Sequence, residues 1–184
     1  MSNTFPGTTV EVSKLQKGSS KVLFSGIFAA GGITLSQVSV MTGLEPYLIQ
    51  NWVKRGFVSS PVKRLYSEEQ FARIVIINML KEALQIERIC SLIRIIGGVL
   101  EDTTDDLIGD AELYHRYIDM IADAEIDITD PSSVTAAANV ASADIVERVP
   151  NARKKLAKIF EVMLYAHASA RFRSSADQIL CALK

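Results

Sequence analysis

The segment Glu45-Pro46-Tyr47-Leu48-Ile49-Gln50-Asn51-Trp52-Val53-Lys54-Arg55-Gly56 constrains the fold of this chain more than any other. Proline directly after Glu45 opens a helix without sacrificing a hydrogen bond, and Gly56 closes it. Between these stops Ile49, Trp52 and Val53 recur at helical spacing and share one side, which must face a core. Tyr47, Gln50, Asn51 and Lys54 share the opposite side. The helix therefore belongs on the surface of a small domain, with its orientation fixed.

The flanking residues supply that domain. Thr34-Leu35-Ser36-Gln37 has the form of a capping box with Thr34 as N-cap, opening a helix with Leu35, Val38 and Met41 on its inner face. Thr42-Gly43-Leu44 makes the turn into the Pro46 helix. After Gly56, the stretch from Phe57 to Tyr66 reads as a short extended hairpin, a candidate wing. Ser67-Glu68-Glu69-Gln70 is a second capping box. The helix it opens carries Phe71, Ile74, Val75, Ile76, Ile77, Met79 and Leu80 and is apolar nearly all round, so it is expected to be covered on two sides. Asn78 stands inside it, where an unpaired amide costs on the order of a few kcal/mol. Its expected role is a bond to a backbone carbonyl that joins two layers, with ligand contact as the minority reading. Ile86, Ile89, Cys90 and Ile93 mark a further helix ending at Gly97-Gly98.

Elsewhere the sequence is less specific. Residues 1–20 read as a loose arm, and Lys21 to Ala30 as a short apolar helix that docks on a neighbour. After an acidic connection, Asp110 to Ala124 is helical with Leu113, Tyr117, Met120 and Ile121 inward, and Pro131-Ser132-Ser133 introduces an alanine-rich helix. Pro150 starts a long helix carrying Leu156, Ile159, Phe160, Met163 and Leu164, which Ile179, Leu180 and Leu183 continue or follow. No strand is expected outside the wing. The expected fold class is all-α with a short β wing, divided into an arm and docking helix (1–32), a helix-turn-helix domain (33–97) and a C-terminal helical domain (98–184).

Composition bounds the function. With 184 residues, 48% of them apolar, the chain can bury a real core. A net charge of −1 argues against a protein that coats nucleic acid indiscriminately. The charge is unevenly spread, however: Lys54, Arg55, Lys63 and Arg64 form a basic cluster, the stretch from Glu101 to Glu147 is acidic apart from Arg116, and Arg148, Arg153, Lys154, Lys155, Lys158, Arg171 and Arg173 are basic again. Of these, Arg153, Lys154, Lys155 and Lys158 are expected to pair with the acidic block, within or between subunits, or alternatively to extend a nucleic-acid surface. Asp102, Asp105, Asp106 and Asp110 lack the glycine of a calcium loop and read as solvated caps. His115 and His167 stand apart from any ligand pattern, so no metal and no cofactor is expected. Cys90 and Cys181 sit in apolar helical patterns, read as buried, and point to a reducing cytoplasm. The apolar run Val22 to Ala30 is too short to span a bilayer and leads almost directly into the helix-turn-helix, so it reads as a docking helix and no membrane association is expected.

Gln and Asn each make a bidentate pair with adenine, and Lys and Tyr reach phosphates or guanine edges. The outward stripe thus suits major-groove readout, although any amphipathic surface helix has a polar outer face. The flanking sequence bears on this choice. Residues 33–96 resemble the DNA-binding domain of the MerR family of transcription regulators: a helix, a turn ending Gly43-Leu44, a second helix beginning Glu45-Pro46, the aromatic Trp52, a Gly56-Phe57 stop, a wing ending Arg64-Leu65-Tyr66-Ser67, and two further helices. The segments Gln50 to Gly56, Pro61-Val62-Lys63 and Asn78 to Lys81 are more specifically similar to an uncharacterised family of MerR-like proteins from Gram-positive bacteria. The resemblance implies a transcription regulator that binds double-stranded DNA as a homodimer, with Arg64 on a phosphate and Tyr66 supporting the wing. Gln50 stands where the family usually has Arg, Asn51 where it has an aromatic residue, and the wing is several residues shorter. On this reading Gln50, Asn51 and Lys54 face the bases, with Tyr47, Arg55, Lys63 and Arg64 on the backbone. Dimer contacts are expected through Phe160, Met163 and Leu164 unless these are buried internally. Two alternatives stand beside it, a protein-docking module that binds no DNA and a C-terminal domain that senses a small-molecule effector. No acid, base and nucleophile can be assembled, so enzyme activity is not expected.

Overall fold

The computed structural model describes residues 3–97, 107–123, 125–147 and 149–183. The described part is mostly helical: α1 (Ser19–Phe28), α2 (Leu35–Thr42), α3 (Pro46–Lys54), α4 (Glu68–Leu80), α5 (Ile86–Gly97), α6 (Asp110–Asp123), α7 (Pro131–Ser142) and α8 (Ala152–Ala182). Four two-residue strands form two small antiparallel ladders. β1 (Asn3–Thr4) pairs with β2 (Glu11–Val12), and β3 (Ile33–Thr34) pairs with β4 (Leu65–Tyr66) in the register Ile33 to Tyr66. Three of these strands lie outside the expected wing, because a two-residue strand is too short to show alternation.

The apolar helix α4 is the centre of the molecule, and α2, α5, α6 and α8 all pack on it. Phe71, Ala72, Ile74, Val75, Ile76, Ile77 and Leu80 are fully buried there, as an all-round apolar pattern requires. Both capping boxes form. The Thr34 hydroxyl accepts from the Gln37 amide, the Ser67 hydroxyl from the Gln70 amide, and each Gln side chain returns to the N-cap amide at 2.8 Å. Gln70 also donates from Nε2 to the carbonyls of Ser59 (3.0 Å) and Ser60 (2.9 Å), which ties the start of the hairpin to α4.

Charge fixes α6 against α4. The Glu69 carboxylate accepts from the Ala111 amide (3.1 Å) at the N-terminus of α6, where a negative charge is favoured, and Arg73 Nε donates to Asp110 at 2.7 Å in a pair nearly closed to water. Deeper in the same interface Phe24 of α1 stacks on Tyr114 with ring centroids 5.5 Å apart and lies 5.3 Å from Phe71. The docking helix read from Lys21 to Ala30 is therefore real, and its anchor is Phe24.

The expectation of a loose N-terminal arm is not met. Phe5 is buried, the Thr9 amide donates to the Met41 carbonyl (2.8 Å), and the Tyr114 hydroxyl donates to the Pro6 carbonyl (2.9 Å). Asn78 spends both amide hydrogens on this arrangement, donating from Nδ2 to Gly7 O and to Thr42 O, each at 2.9 Å. It thus bonds backbone carbonyls and joins layers, the role expected of it. Gly7 is held in the left-handed region (φ 76°), and a Cβ there would lie 2.3 Å from the Val75 carbonyl oxygen. Only glycine permits this approach.

At the other end Leu156, Ile159, Phe160, Met163 and Leu164 are buried, with α7 as the main neighbour of α8. Phe160, Met163 and Leu164 are therefore core residues and do not offer a dimer surface. From Arg171 to Leu183 α8 and its last turn run on beyond the core, exposed all round, which leaves Cys181 exposed while Cys90 is buried as expected. The late bases do not pair with carboxylates of the 101–147 block in the described residues: Arg153 donates to the Ile145 carbonyl (2.9 Å) and Lys158 pairs with Glu161 (2.8 Å) one turn along its own helix. Asp102, Asp105 and Asp106 lie outside the described residues.

Candidate nucleic-acid interface

The two ends of α3 are built as its sequence dictates. Glu45 is extended (φ −62°, ψ 137°) and Pro46 occupies the first helical position. At the far end Gly56 turns left-handed (φ 72°) while its amide donates to Val53 O (3.0 Å) and that of Phe57 to Trp52 O (2.9 Å). This is the paired-bond stop that satisfies the last carbonyls of a helix and favours glycine. The turn before α3 is equally fixed: Gly43 (φ 68°) donates to Ser39 O at 2.8 Å, and the Ser39 hydroxyl donates to Leu44 O at 2.7 Å.

With Leu44, Ile49 and Trp52 buried, α3 has no freedom to roll. Tyr47, Gln50, Asn51 and Lys54 are all exposed, Tyr47 at 65%. Among the described residues no hydrogen bond or ion pair holds the side chains of Gln50, Asn51 or Lys54. Arg55 is engaged: its guanidinium lies 4.4 Å over the Phe57 ring and 3.3 Å from the Glu87 carboxylate of α5.

Of the expected Phe57 to Tyr66 hairpin a single bridged pair forms, closing a tight turn, while Leu65–Tyr66 pairs with Ile33–Thr34. Val62 and Leu65 exchange both backbone hydrogen bonds (3.1 and 2.9 Å), and the two residues between them, Lys63 and Arg64, both have positive φ (50° and 66°). That is the geometry of a mirror-image two-residue turn, normally built from Asn and Gly. Here two long cations occupy it, both exposed and without an ion-pair partner among the described residues. Tyr66, next in line, is buried at 3% exposure, and burial pushes its hydroxyl pKa up, so it holds the hairpin to the core as a neutral packing residue.

A cleft of about 960 Å³ separates this hairpin from α6 and the chain around Ile145. Lys63 of the turn and Glu69 line it, and of its other charged groups Arg73 is paired with Asp110, and Arg116 with Glu112 (2.8 Å) and Asp144 (2.5 Å). The two histidines are also committed inside the fold. His115 Nδ1 meets the buried Ser20 hydroxyl at 2.9 Å, and His167 Nδ1 meets the Tyr117 hydroxyl at 2.7 Å. Burial lowers both ring pKa values, that of His167 to about 4 with Arg171 adding to the effect. Ser20 is itself fully buried, so the Ser20, His115 and Glu68 group has no access to a substrate.

Residues 33–117 match the family described as Domain of unknown function (DUF1836). No curated protein and no solved structure matches the chain. The DUF1836 segment opens on β3 and ends within α6, at Tyr117. It contains every outward residue of α3, both cations of the turn, Tyr66 and Asn78. It runs past residue 97 into α6, and it leaves the N-terminal arm and α7 and α8 outside.

Proposed function

We propose that the protein binds double-stranded DNA sequence-specifically and acts in transcription control, with α2 and α3 as a helix-turn-helix, the Phe57 to Tyr66 hairpin as its wing, and α3 as the recognition helix, in the manner of the MerR-family domain that this segment resembles. One observation carries the reading: α3 is clamped by Leu44, Ile49 and Trp52 and presents Tyr47, Gln50, Asn51 and Lys54 outward with none of those side chains committed inside the fold. Gln50 and Asn51 fit adenine edges, while Lys54, Lys63 and Arg64 supply phosphate contacts. Tyr47 and Arg55 flank them. Such a role places the protein in the cytoplasm.

The turn supports the reading independently. Placing non-glycine residues in the left-handed region costs roughly 1 kcal/mol or more each, a cost natural sequences retain mainly where the side chains do something. Replacing Lys63 and Arg64 together by Asn and Gly should raise unfolding stability by about 1–2 kcal/mol, read from denaturant midpoints, while weakening duplex binding. A gain in stability with binding unchanged would remove the turn from the interface.

Salt dependence tests the rest. Lys54→Ala and Arg64→Ala should each reduce the slope of log affinity against log salt by about one unit, whereas Gln50→Ala and Asn51→Ala should change which sequences bind and leave the slope alone. A slope unaffected by either lysine or arginine removal would count against phosphate contact at these positions. Binding to a protein partner in place of DNA would show the opposite pattern, loss on Tyr47→Ala with little effect of salt.

A further inference from the structure

Of the basic cluster Lys54, Arg55, Lys63 and Arg64, Arg55 alone meets a carboxylate among the described residues. It follows Asn51 by one helical turn, at the edge of the outward stripe of α3. Its Nη2 lies 3.3 Å from Oε1 of Glu87, and its guanidinium carbon sits 4.4 Å over the Phe57 ring. Two contacts thus hold a long side chain that would otherwise swing freely. Glu87 stands in the first turn of α5, where the helix N-terminus favours a carboxylate.

The pair does little for the fold. Both side chains face water, Arg55 at 44% and Glu87 at 68%, and ion pairs so exposed are screened and contribute little to stability. What the pair changes is the charge of the surface. Lys54, Lys63 and Arg64 each offer a whole positive charge, whereas Arg55 and Glu87 together offer none. A phosphate arriving at Arg55 meets the carboxylate as well, because a single contact distance separates the two charges.

We propose, resting on the DNA reading above, that Glu87 is a specificity-determining residue: it masks Arg55 and withdraws one phosphate contact from the surface. Phosphate contacts tighten binding to every duplex alike, whereas base contacts tighten binding only to the right one. With Arg55 masked, a larger share of the affinity depends on Gln50 and Asn51. Glu87 touches no DNA in this arrangement and acts through Arg55, with the Phe57 ring keeping the guanidinium within its reach. The basic cluster therefore works as three cations, Lys54, Lys63 and Arg64, and Arg55 is held back from the backbone.

A cycle of four full-length proteins on a random-sequence duplex tests this: wild type, Glu87→Gln, Arg55→Gln and the double substitution, each titrated across salt. Both positions are exposed, so circular dichroism should be the same for all four. Glu87→Gln should tighten binding roughly three- to tenfold at about 0.1 M salt and steepen the slope of log affinity against log salt by about one unit, one added phosphate contact. Arg55→Gln should leave the slope unchanged while Glu87 is present and lower it by about one unit once Glu87 is Gln. Equal effects of Arg55→Gln in the two backgrounds would overturn the proposal, since independent charges add. So would a Glu87→Gln protein with the wild-type slope. In both of those cases the wild type still binds, which separates them from failure of the DNA reading itself: no duplex affinity in any of the four proteins at low salt would overturn that reading and the mask with it.

Discussion

Asn78→Ala is expected to lower the free energy of unfolding by about 2–3 kcal/mol. Asn78 is the point where α4, the turn after α2 and the N-terminal arm meet, and its Nδ2 donates to the carbonyls of Gly7 and Thr42, each at 2.9 Å. Alanine removes two hydrogen bonds worth about 1 kcal/mol each and leaves two poorly hydrated carbonyls to find other donors. The arm has no slack to rearrange, because Gly7 already approaches the α4 backbone so closely that a Cβ would sit 2.3 Å from Val75 O, and Pro6 is held from the other side by the Tyr114 hydroxyl at 2.9 Å. Urea titration followed by circular dichroism checks this. The midpoint should fall with the slope unchanged; a loss under 0.5 kcal/mol would mean the arm is not part of the cooperative core. Since Thr42 precedes the turn that aims α3, the same substitution should also weaken any binding that depends on α3.

Acid is expected to destabilise the protein in a window set by His167. Its folded pKa is lowered to about 4, by burial first and by Arg171 second, while an unfolded chain binds the proton near pH 6.5. Above that value both states are neutral at this residue and stability does not depend on it. As pH falls from 6.5 toward 4 the unfolded state takes up a proton that the folded state refuses, so stability falls, by as much as about 3 kcal/mol across the window. His115, also lowered by burial, acts in the same direction. Asp127, Asp130 and Asp144 are held below the usual carboxylate range by their hydrogen bonds, so they titrate beneath this window. Melting temperatures between pH 7 and pH 4.5 should decline for the wild type and decline less steeply for His167→Gln, which keeps an acceptor for Tyr117 and leaves the contribution of His115 in place. Parallel curves for the two proteins would assign the acid sensitivity elsewhere.

The parts of the fold that were legible in the sequence are those fixed by neighbours close along the chain. Thr34 with Gln37, Ser67 with Gln70, Pro46 and Gly56 each act within four residues or at one position, and all four set the boundaries expected of them. Asn78 was legible for another reason: an amide inside an apolar helix has to find a carbonyl, whichever one it is. The partners of the N-terminal arm were hidden because they stand far off in sequence, at Met41, Asn78 and Tyr114, and nothing local in a Ser, Thr and Gly-rich stretch signals them. Phe160, Met163 and Leu164 suggest a dimer face in the sequence because an apolar stripe does not say whether its cover comes from the same chain; in the structure that cover is internal.

At the candidate interface the pattern of α3 and the tight basic cluster were legible, and the structure leaves Tyr47, Gln50, Asn51, Lys54, Arg55, Lys63 and Arg64 all exposed. The contact of Arg55 with Glu87 and the left-handed conformation of Lys63 and Arg64 were not, since one depends on how α5 lies beside α3 and the other on a turn two residues long.

The central claim, that α3 and the turn dock on duplex DNA, is tested most directly by the affinity of the wild-type chain for fragments of its own genome across a range of salt. The account predicts that some fragments bind well above the rest at low salt and that affinity falls steeply and linearly with log salt, as phosphate contacts by several cations require. No affinity for any fragment even at low salt would contradict it.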